Sequence, residues 1–152
     1  MKIEDHIKRV EAFERALAKL DRHKDMQLFV WFLEKAGCHC MNAALHTWGI
    51  TPEIPEGAEA VDEPDPDAEW EDAAFYKNMA RAGDWIHSRY DPGTAELTDE
   101  AKKMCKLMFF IEEERADYVR GIEPMSDDVF AKFKSAYLTV RKCAPISGEA
   151  PL

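Results

Sequence analysis

The sequence lacks an apolar run long enough to cross a membrane, since Glu34 and Lys35 interrupt its longest hydrophobic stretch before it reaches roughly 18 residues. Its first residues carry acids where a signal peptide needs an uncharged apolar core, so export is not expected. The spacing of a secreted disulfide scaffold is also missing from its four cysteines, which are Cys38, Cys40, Cys105 and Cys143. We expect reduced, mostly buried thiols in a cytoplasmic protein that does not associate with membranes.

A period-two alternation of apolar and polar residues, the pattern of a half-buried strand, is absent as well. The sequence contains no internal repeat and no glycine-rich phosphate-binding loop. Apolar residues recur instead at steps of three and four, which is typical of helices, and 152 residues suffice for one domain. The sequence therefore predicts an all-α protein, an up-and-down bundle of four or five helices, with one domain at residues 1–143 and a flexible tail at residues 144–152.

The second of five predicted helices is apolar on most of its faces. It covers about residues 25–48 and contains the consecutive apolar residues 29–33. Such a helix belongs at the centre of a bundle, so we expect it to be the spine against which the other helices pack. The others are expected at about residues 3–20, 67–90, 98–121 and 126–143, with Thr98 and Ser126 as N-caps and Gly49 at the end of the spine.

Basic residues are missing from the segment between Thr51 and Asp72, which contains ten acids. The rest of the chain has 20 acids and 20 bases, so this segment accounts for the net charge of −10. Four prolines favour irregular structure, and an acidic Pro-rich loop is predicted at residues 51–67, between the second and third helices. A solvated loop, a docking strip for a basic partner and a cover for a basic groove all fit this composition. The net charge disfavours RNA as a partner without excluding it.

Cys38, His39, Cys40 and His46 suggest a metal site, but helix geometry argues against one. Side chains two positions apart on a helix diverge by roughly 200°, so Cys38 and Cys40 cannot bind one ion. His39 and His46 share a face yet lie about 10 Å apart along the helix axis. Neither a metal nor another cofactor is therefore expected at these residues, and the protonation of the two histidines is left open.

Asp84 and His87 are three positions apart, which places a carboxylate and an imidazole on one helical face. Di-iron carboxylate bundles use two Glu-x-x-His pairs, whereas this chain has one such pair, with Asp in place of Glu. A structural polar pair is the first interpretation. A metal-binding bundle built from Asp84, His87 and an acid such as Glu34 is the alternative.

Arg81 lies six residues before His87, and the two side chains could border one shallow cleft. There an arginine could hold a phosphate while a histidine moves a proton, as metal-independent RNA cleavage requires. Three stretches resemble the HEPN superfamily of helical bundles: KAGCHCMNAALHTWGITP at residues 35–52, RAGDWIHSRY at residues 81–90 and EEERADYVRG at residues 112–121.

This resemblance implies a dimeric bundle that is often an RNase toxin or a nucleotide-associated partner. Together with the patterns above it marks seven candidate residues: Arg81, His87 and Tyr90 in catalysis if HEPN-like activity is retained, and Asp84, Arg115, Asp117 and Tyr118 in binding. Two departures favour loss of activity in this chain: Ala82 replaces the polar residue that usually follows the arginine, and no histidine follows Arg115.

Three functional hypotheses result from these patterns. The first is a bacterial-type cytoplasmic bundle that forms a homodimer and binds a protein partner, because its aromatic residues exceed what one core needs. These aromatics are Trp31, Phe32, Trp48, Trp70, Trp85, Phe109 and Phe110. The second is a HEPN-like metal-independent ribonuclease, and the third is a metal-binding bundle. Six basic residues near the C-terminal hairpin could form a phosphate-facing surface, but solvated faces paired with Glu112, Glu113, Glu114 and Asp117 are the first interpretation. These basic residues are Arg115, Arg120, Lys132, Lys134, Arg141 and Lys142.

Overall fold

The computed structural model describes residues 1–51, 97–121 and 124–152. In these ranges the protein forms four α-helices and no strand, so the predicted all-α bundle is confirmed there. The helices are α1 at Ile3–Leu17, α2 at Met26–Thr47, α3 at Asp99–Val119 and α4 at Asp127–Cys143. The helix predicted at residues 67–90 and the acidic loop beyond Thr51 lie outside the described residues. None of the four described helices is long and apolar enough to span a bilayer.

The third and fourth described helices begin, and α2 ends, at the signals found in the sequence, whereas α1 ends at Leu17, before the predicted residue 20. Thr98 and Ser126 cap α3 and α4, because their side-chain oxygens accept hydrogen bonds from backbone amides at 3.2 and 3.3 Å. At the end of α2, Gly49 has a φ of +68°, and the amide of Ile50 donates to the Leu45 carbonyl at 2.9 Å. A glycine in this left-handed conformation turns the chain off the helix and satisfies the last carbonyls.

The helix α2 packs directly against each of the other three described helices. The residues of α2 that are fully buried lie on most of its circumference, and they include Val30, Leu33, Ala36, Cys40, Met41, Ala43, Ala44 and Leu45. The predicted spine is therefore confirmed. The spine is not buried along its whole length, because Leu28 is 50% exposed and Trp31 is 41% exposed, so the first turns of α2 present one face to solvent.

Gly37 lets the Met108 side chain of α3 lie close against the spine. A Cβ atom at this position would lie 2.7 Å from the Met108 sulfur and 3.9 Å from a ring carbon of Tyr137. These two side chains fill the space that a larger residue on α2 would need.

Glu14 of α1 forms a buried polar network with α4. Its Oε1 accepts hydrogen bonds from the Tyr137 hydroxyl at 2.7 Å and from Arg141 Nε at 2.6 Å, and its Oε2 accepts one from Arg141 Nη2 at 3.3 Å. Burial, followed by the negative charge of neighbouring groups, raises the pKa of Tyr137, and the hydrogen bond to Glu14 raises the pKa of Arg141. Tyr137 therefore stays neutral and Arg141 stays charged. The network joins two helices whose backbones lie apart.

Residues 144–152, predicted as a flexible tail, lie along α4. Arg141 Nη1 donates to the Gly148 carbonyl at 2.8 Å, and Lys134 Nζ donates to the Leu152 carbonyl at 2.5 Å. Ile146 and Leu152 also pack against the core. These contacts fasten the tail to the last helix.

Candidate functional site

A line of polar side chains follows one side of the spine helix. Glu34, Cys38, Asn42 and His46 are spaced by four residues, which keeps them on one side of α2 with a slow drift around it. Glu34 is 3% exposed, Asn42 is 4% exposed and His46 is 7% exposed. Polar side chains at the centre of a bundle need hydrogen-bond partners or ligands, so this polar stripe is where a functional site is expected.

The polar stripe runs from the α3 side of α2 to the α1 side. At its start, Glu34 and Cys38 lie beside Glu112 of α3. At its end, the ring centroid of His46 lies 5.3 Å from that of His6 of α1. The stripe therefore contains two separate polar groups, one shared with each neighbouring helix.

Glu34, Cys38 and Glu112 form a buried group, here named the acid–thiol cluster. One ligand atom from each of the three side chains lies within 4.8 Å of the other two. The Cys38 sulfur lies 3.6 Å from Glu34 Oε1, to which it donates a hydrogen bond. Glu112 is 5% exposed and comes from α3, so the cluster joins two helices. Within the described residues, no other group of three histidine, cysteine or acidic side chains approaches this closely.

The acid–thiol cluster concentrates negative charge where water has little access. Lys35 donates a hydrogen bond to Glu34 Oε1 at 3.3 Å and lies 3.2 Å from Oε2 in an ion pair. Its contact with Oε2 lacks the alignment of a hydrogen bond, and this buried oxygen accepts none from the described residues. Burial, followed by the charges of Glu34 and Glu112, raises the pKa of the Cys38 thiol well above its ordinary value. A further positive charge at the cluster would offset the negative charge of the acids, bind the lone pairs of Glu34 Oε2 and lower the pKa of the Cys38 thiol.

Three histidines form the second group, here named the histidine cluster. His6 Nδ1 and His39 Nδ1 are 2.9 Å apart, so one of these nitrogens carries a proton and the other accepts it. His46 Nδ1 lies 2.8 Å from the Thr51 hydroxyl, which can donate or accept, and 3.1 Å from the Thr51 carbonyl, which can only accept. Sequence reasoning did not connect His6 with the other two histidines, because its position depends on how α1 packs against α2.

The residues that the HEPN resemblance assigns are not brought together within the described ranges. Four of the seven lie outside these ranges, namely Arg81, Asp84, His87 and Tyr90. Of the other three, Asp117 is exposed, Arg115 is half-buried, and Tyr118 is buried, with its ring centroid 5.8 Å from that of Phe133 in an edge-to-face arrangement. Asp117 therefore points to solvent, whereas Tyr118 points to the core. The roles of all seven residues stay predictions.

Glu112 contradicts the expectation of a solvated acidic face. It follows Met104 and Met108 at steps of four residues, and both methionines are buried. This periodicity is the signal that continues the buried side of α3 to Glu112. The acid escaped prediction because acidic side chains are almost never fully buried unless they are paired.

Comparisons with protein-family models, curated proteins and solved structures give no match for this chain. The acid–thiol cluster is therefore judged on its chemistry. Carboxylate oxygen and thiolate sulfur are ligands of divalent transition metals. Glu34 and Cys38 are held about one turn apart on α2, and Glu112 faces them from α3. The arrangement can hold one metal ion between these two helices.

Proposed function

We propose that this protein is a metal-binding helical bundle, with Glu34, Cys38 and Glu112 of the acid–thiol cluster as its ligands. The observation that carries the proposal is the convergence of three ligand groups within 4.8 Å of one another, with one buried Glu34 oxygen that accepts no hydrogen bond from the described residues. Two carboxylates this close inside a protein repel each other unless a cation or a proton lies between them. Glu34 is also the acid that the sequence hypothesis of a metal-binding bundle names.

A shared proton is the alternative account of the cluster. Protonation of one carboxyl group would leave a neutral acid beside a carboxylate, which removes the repulsion without a metal. The two accounts differ in whether added metal raises the stability of the folded protein. A metal that binds only the folded protein stabilises it by about 2.7 kcal/mol at a free concentration of 100 times Kd, whereas a proton-sharing pair gains nothing.

Metal titration of chelator-treated protein tests the proposal. We expect one equivalent of Zn²⁺ or Co²⁺ per chain by equilibrium dialysis and elemental measurement, together with a rise in Tm. Glu112→Gln should abolish both effects, whereas Glu113→Gln, the same change on the exposed neighbour, should leave both unchanged. The proposal is refuted by a wild-type protein that binds no stoichiometric metal, or by a Glu112→Gln variant that binds as tightly as the wild type.

Partner binding through the exposed side of α2 is a second candidate function, and it depends on a different observation. Leu28 and Trp31 are 50% and 41% exposed and lie three residues apart on one helical face. Large apolar side chains in water favour an interface, here with a second copy of the chain or another protein, and we place this function in the cytoplasm. Light scattering at micromolar concentration should show a dimer that Trp31→Glu dissociates and Lys106→Glu, on the exposed side of α3, does not. A wild-type monomer at that concentration rules out the homodimer.

A further inference from the structure

The donor set of the acid–thiol cluster indicates which class of metal it takes, and this inference rests on the proposed function. We infer that the site selects a thiophilic divalent ion of the zinc and cobalt(II) class over magnesium and calcium, with the Cys38 sulfur bound directly to the ion. Glu34 and Glu112 supply oxygen ligands to the same ion.

The spacing between Glu34 and Cys38 fits a tetrahedral ion. Zinc binds thiolate sulfur at about 2.3 Å and carboxylate oxygen at about 2.1 Å, so two such ligand atoms on a tetrahedral ion are about 3.6 Å apart. The Cys38 sulfur lies 3.6 Å from Glu34 Oε1. An ion can therefore take the place of the thiol proton between these atoms, with the proton released to solvent and the separation of the two atoms unchanged.

Glu112 needs only a small adjustment to complete the set. The ligand atoms of the cluster all lie within 4.8 Å of one another, whereas tetrahedral spacings are about 3.6 Å for sulfur to oxygen and about 3.4 Å for oxygen to oxygen, so the excess is about 1.4 Å at most. Rotation about the bonds of a glutamate side chain covers this distance while the backbones of α2 and α3 stay in place.

Two further features of α2 support the site. Asn42 Nδ2 donates to the Cys38 carbonyl at 3.0 Å, which places a polar side chain on the next turn of the stripe. The second feature is Glu34 itself: its side chain is 4% exposed, and its Oε2, the oxygen beside the one that contacts Cys38, accepts no hydrogen bond from the described residues. Lys35 offsets part of its charge through the ion pair, but from a side chain that is 36% exposed and so partly hydrated.

Magnesium and calcium fit this donor set poorly. Mg²⁺ requires octahedral oxygen ligands and usually keeps several waters, and Ca²⁺ takes about six to eight oxygens. At this cluster a sulfur occupies one ligand position, and both acids are buried. Sulfur ligands bind zinc-class ions strongly and bind the harder cations Mg²⁺ and Ca²⁺ weakly.

Cobalt(II) reports sulfur ligation directly. We expect Co²⁺ added to chelator-treated protein to produce a thiolate-to-cobalt charge-transfer band in the near ultraviolet. Zn²⁺ should abolish the band at one equivalent, because it competes for the same donors. A large excess of Mg²⁺ or Ca²⁺ should leave the band in place.

Two serine variants test whether Cys38 is a ligand, one at Cys38 and one at a cysteine outside the cluster. Cys38→Ser should abolish the band and lower the affinity for Zn²⁺ at least about tenfold. Cys143→Ser is the matched control, because it makes the same change at a half-buried thiol of α4 that bonds the Thr139 carbonyl of its own helix. This control should keep both the band and the affinity. The spectrum of the wild-type protein decides the question even where Cys38→Ser fails to fold.

The possible results separate this inference from the proposed function. Binding of one equivalent of Co²⁺ without a charge-transfer band would overturn the ligand role of Cys38, and of the proposed function it would leave only metal binding through Glu34 and Glu112. Displacement of Co²⁺ by an equal concentration of Mg²⁺ or Ca²⁺ would overturn the selectivity. Failure of the wild-type protein to bind any of these ions would refute the proposed function, and this inference with it.

Discussion

At the scale of the residue, Glu14 shows how a charge is accommodated inside this bundle. Its carboxylate accepts hydrogen bonds from Tyr137 and Arg141, so the buried acid and the buried base are paired. Removal of one partner leaves the other as an uncompensated charge in a place without water. The acid–thiol cluster differs in that two of its three members are acids, which is why a cation fits there.

Glu14→Gln should lower the free energy of unfolding by about 3–5 kcal/mol, because Arg141 would remain buried without its counter-charge. Urea denaturation measures the change. Glu11→Gln is the control, since this acid lies on the exposed side of the same helix and its loss should change the free energy by less than about 0.5 kcal/mol. Equal stability of the Glu14→Gln variant and the wild type would show that the network contributes little.

Cys105 makes the free energy of unfolding depend on pH in alkaline solution. Burial, followed by the charge of Glu112, raises the pKa of this thiol from 9.0 to about 11. The unfolded chain releases the proton first as the pH rises, so the free energy of unfolding falls between pH 9.0 and about 11. Cys105→Ala should lose less stability over this interval, as measured by urea midpoints at its two ends. Equal losses in the variant and the wild type would contradict this assignment.

At the scale of the element, the capped ends of helices and the central place of α2 could be predicted from the sequence, whereas the side of α2 that faces solvent could not. Thr98, Ser126 and Gly49 act on backbone groups of their own neighbours, so their effect needs no tertiary information. Trp31 belongs to the most apolar part of α2 and is nevertheless exposed. Its burial depends on where the other helices lie around the spine, which the composition of α2 does not contain.

The acid–thiol cluster was only half predictable for the same reason. The spacing of Glu34 and Cys38 places both on one side of α2, and this much is visible in the sequence. Glu112 comes from a different helix, and its approach to Cys38 depends on how α3 packs against the spine. Local spacing therefore predicts the pair of ligands on α2, whereas the third ligand, Glu112, depends on the packing of α3 against α2.

At the scale of the whole molecule, hydrogen bonds join α1 to two other helices. The histidine cluster joins α1 to α2, and in the acid–thiol cluster polar groups of α2 and α3 lie side by side. The Glu14 network joins α1 to α4, and Arg141 extends it to the tail at Gly148. Apolar packing is non-directional, whereas hydrogen bonds of defined geometry hold the helices in one register.

Removal of the tail should therefore destabilise the whole domain. Truncation after Ala144 deletes the Gly148 carbonyl that accepts a hydrogen bond from Arg141 Nη1, and it removes Ile146 from the core. A hydrogen bond to a charged group contributes about 1.5–3 kcal/mol, so the free energy of unfolding should fall by at least that amount in a single urea transition. Truncation after Ala150 keeps the Gly148 contact and should have a smaller effect. If the protein truncated after Ala144 unfolds at the urea midpoint of the wild type, residues 145–152 contribute nothing to stability. The sequence prediction of a flexible tail is then the better description.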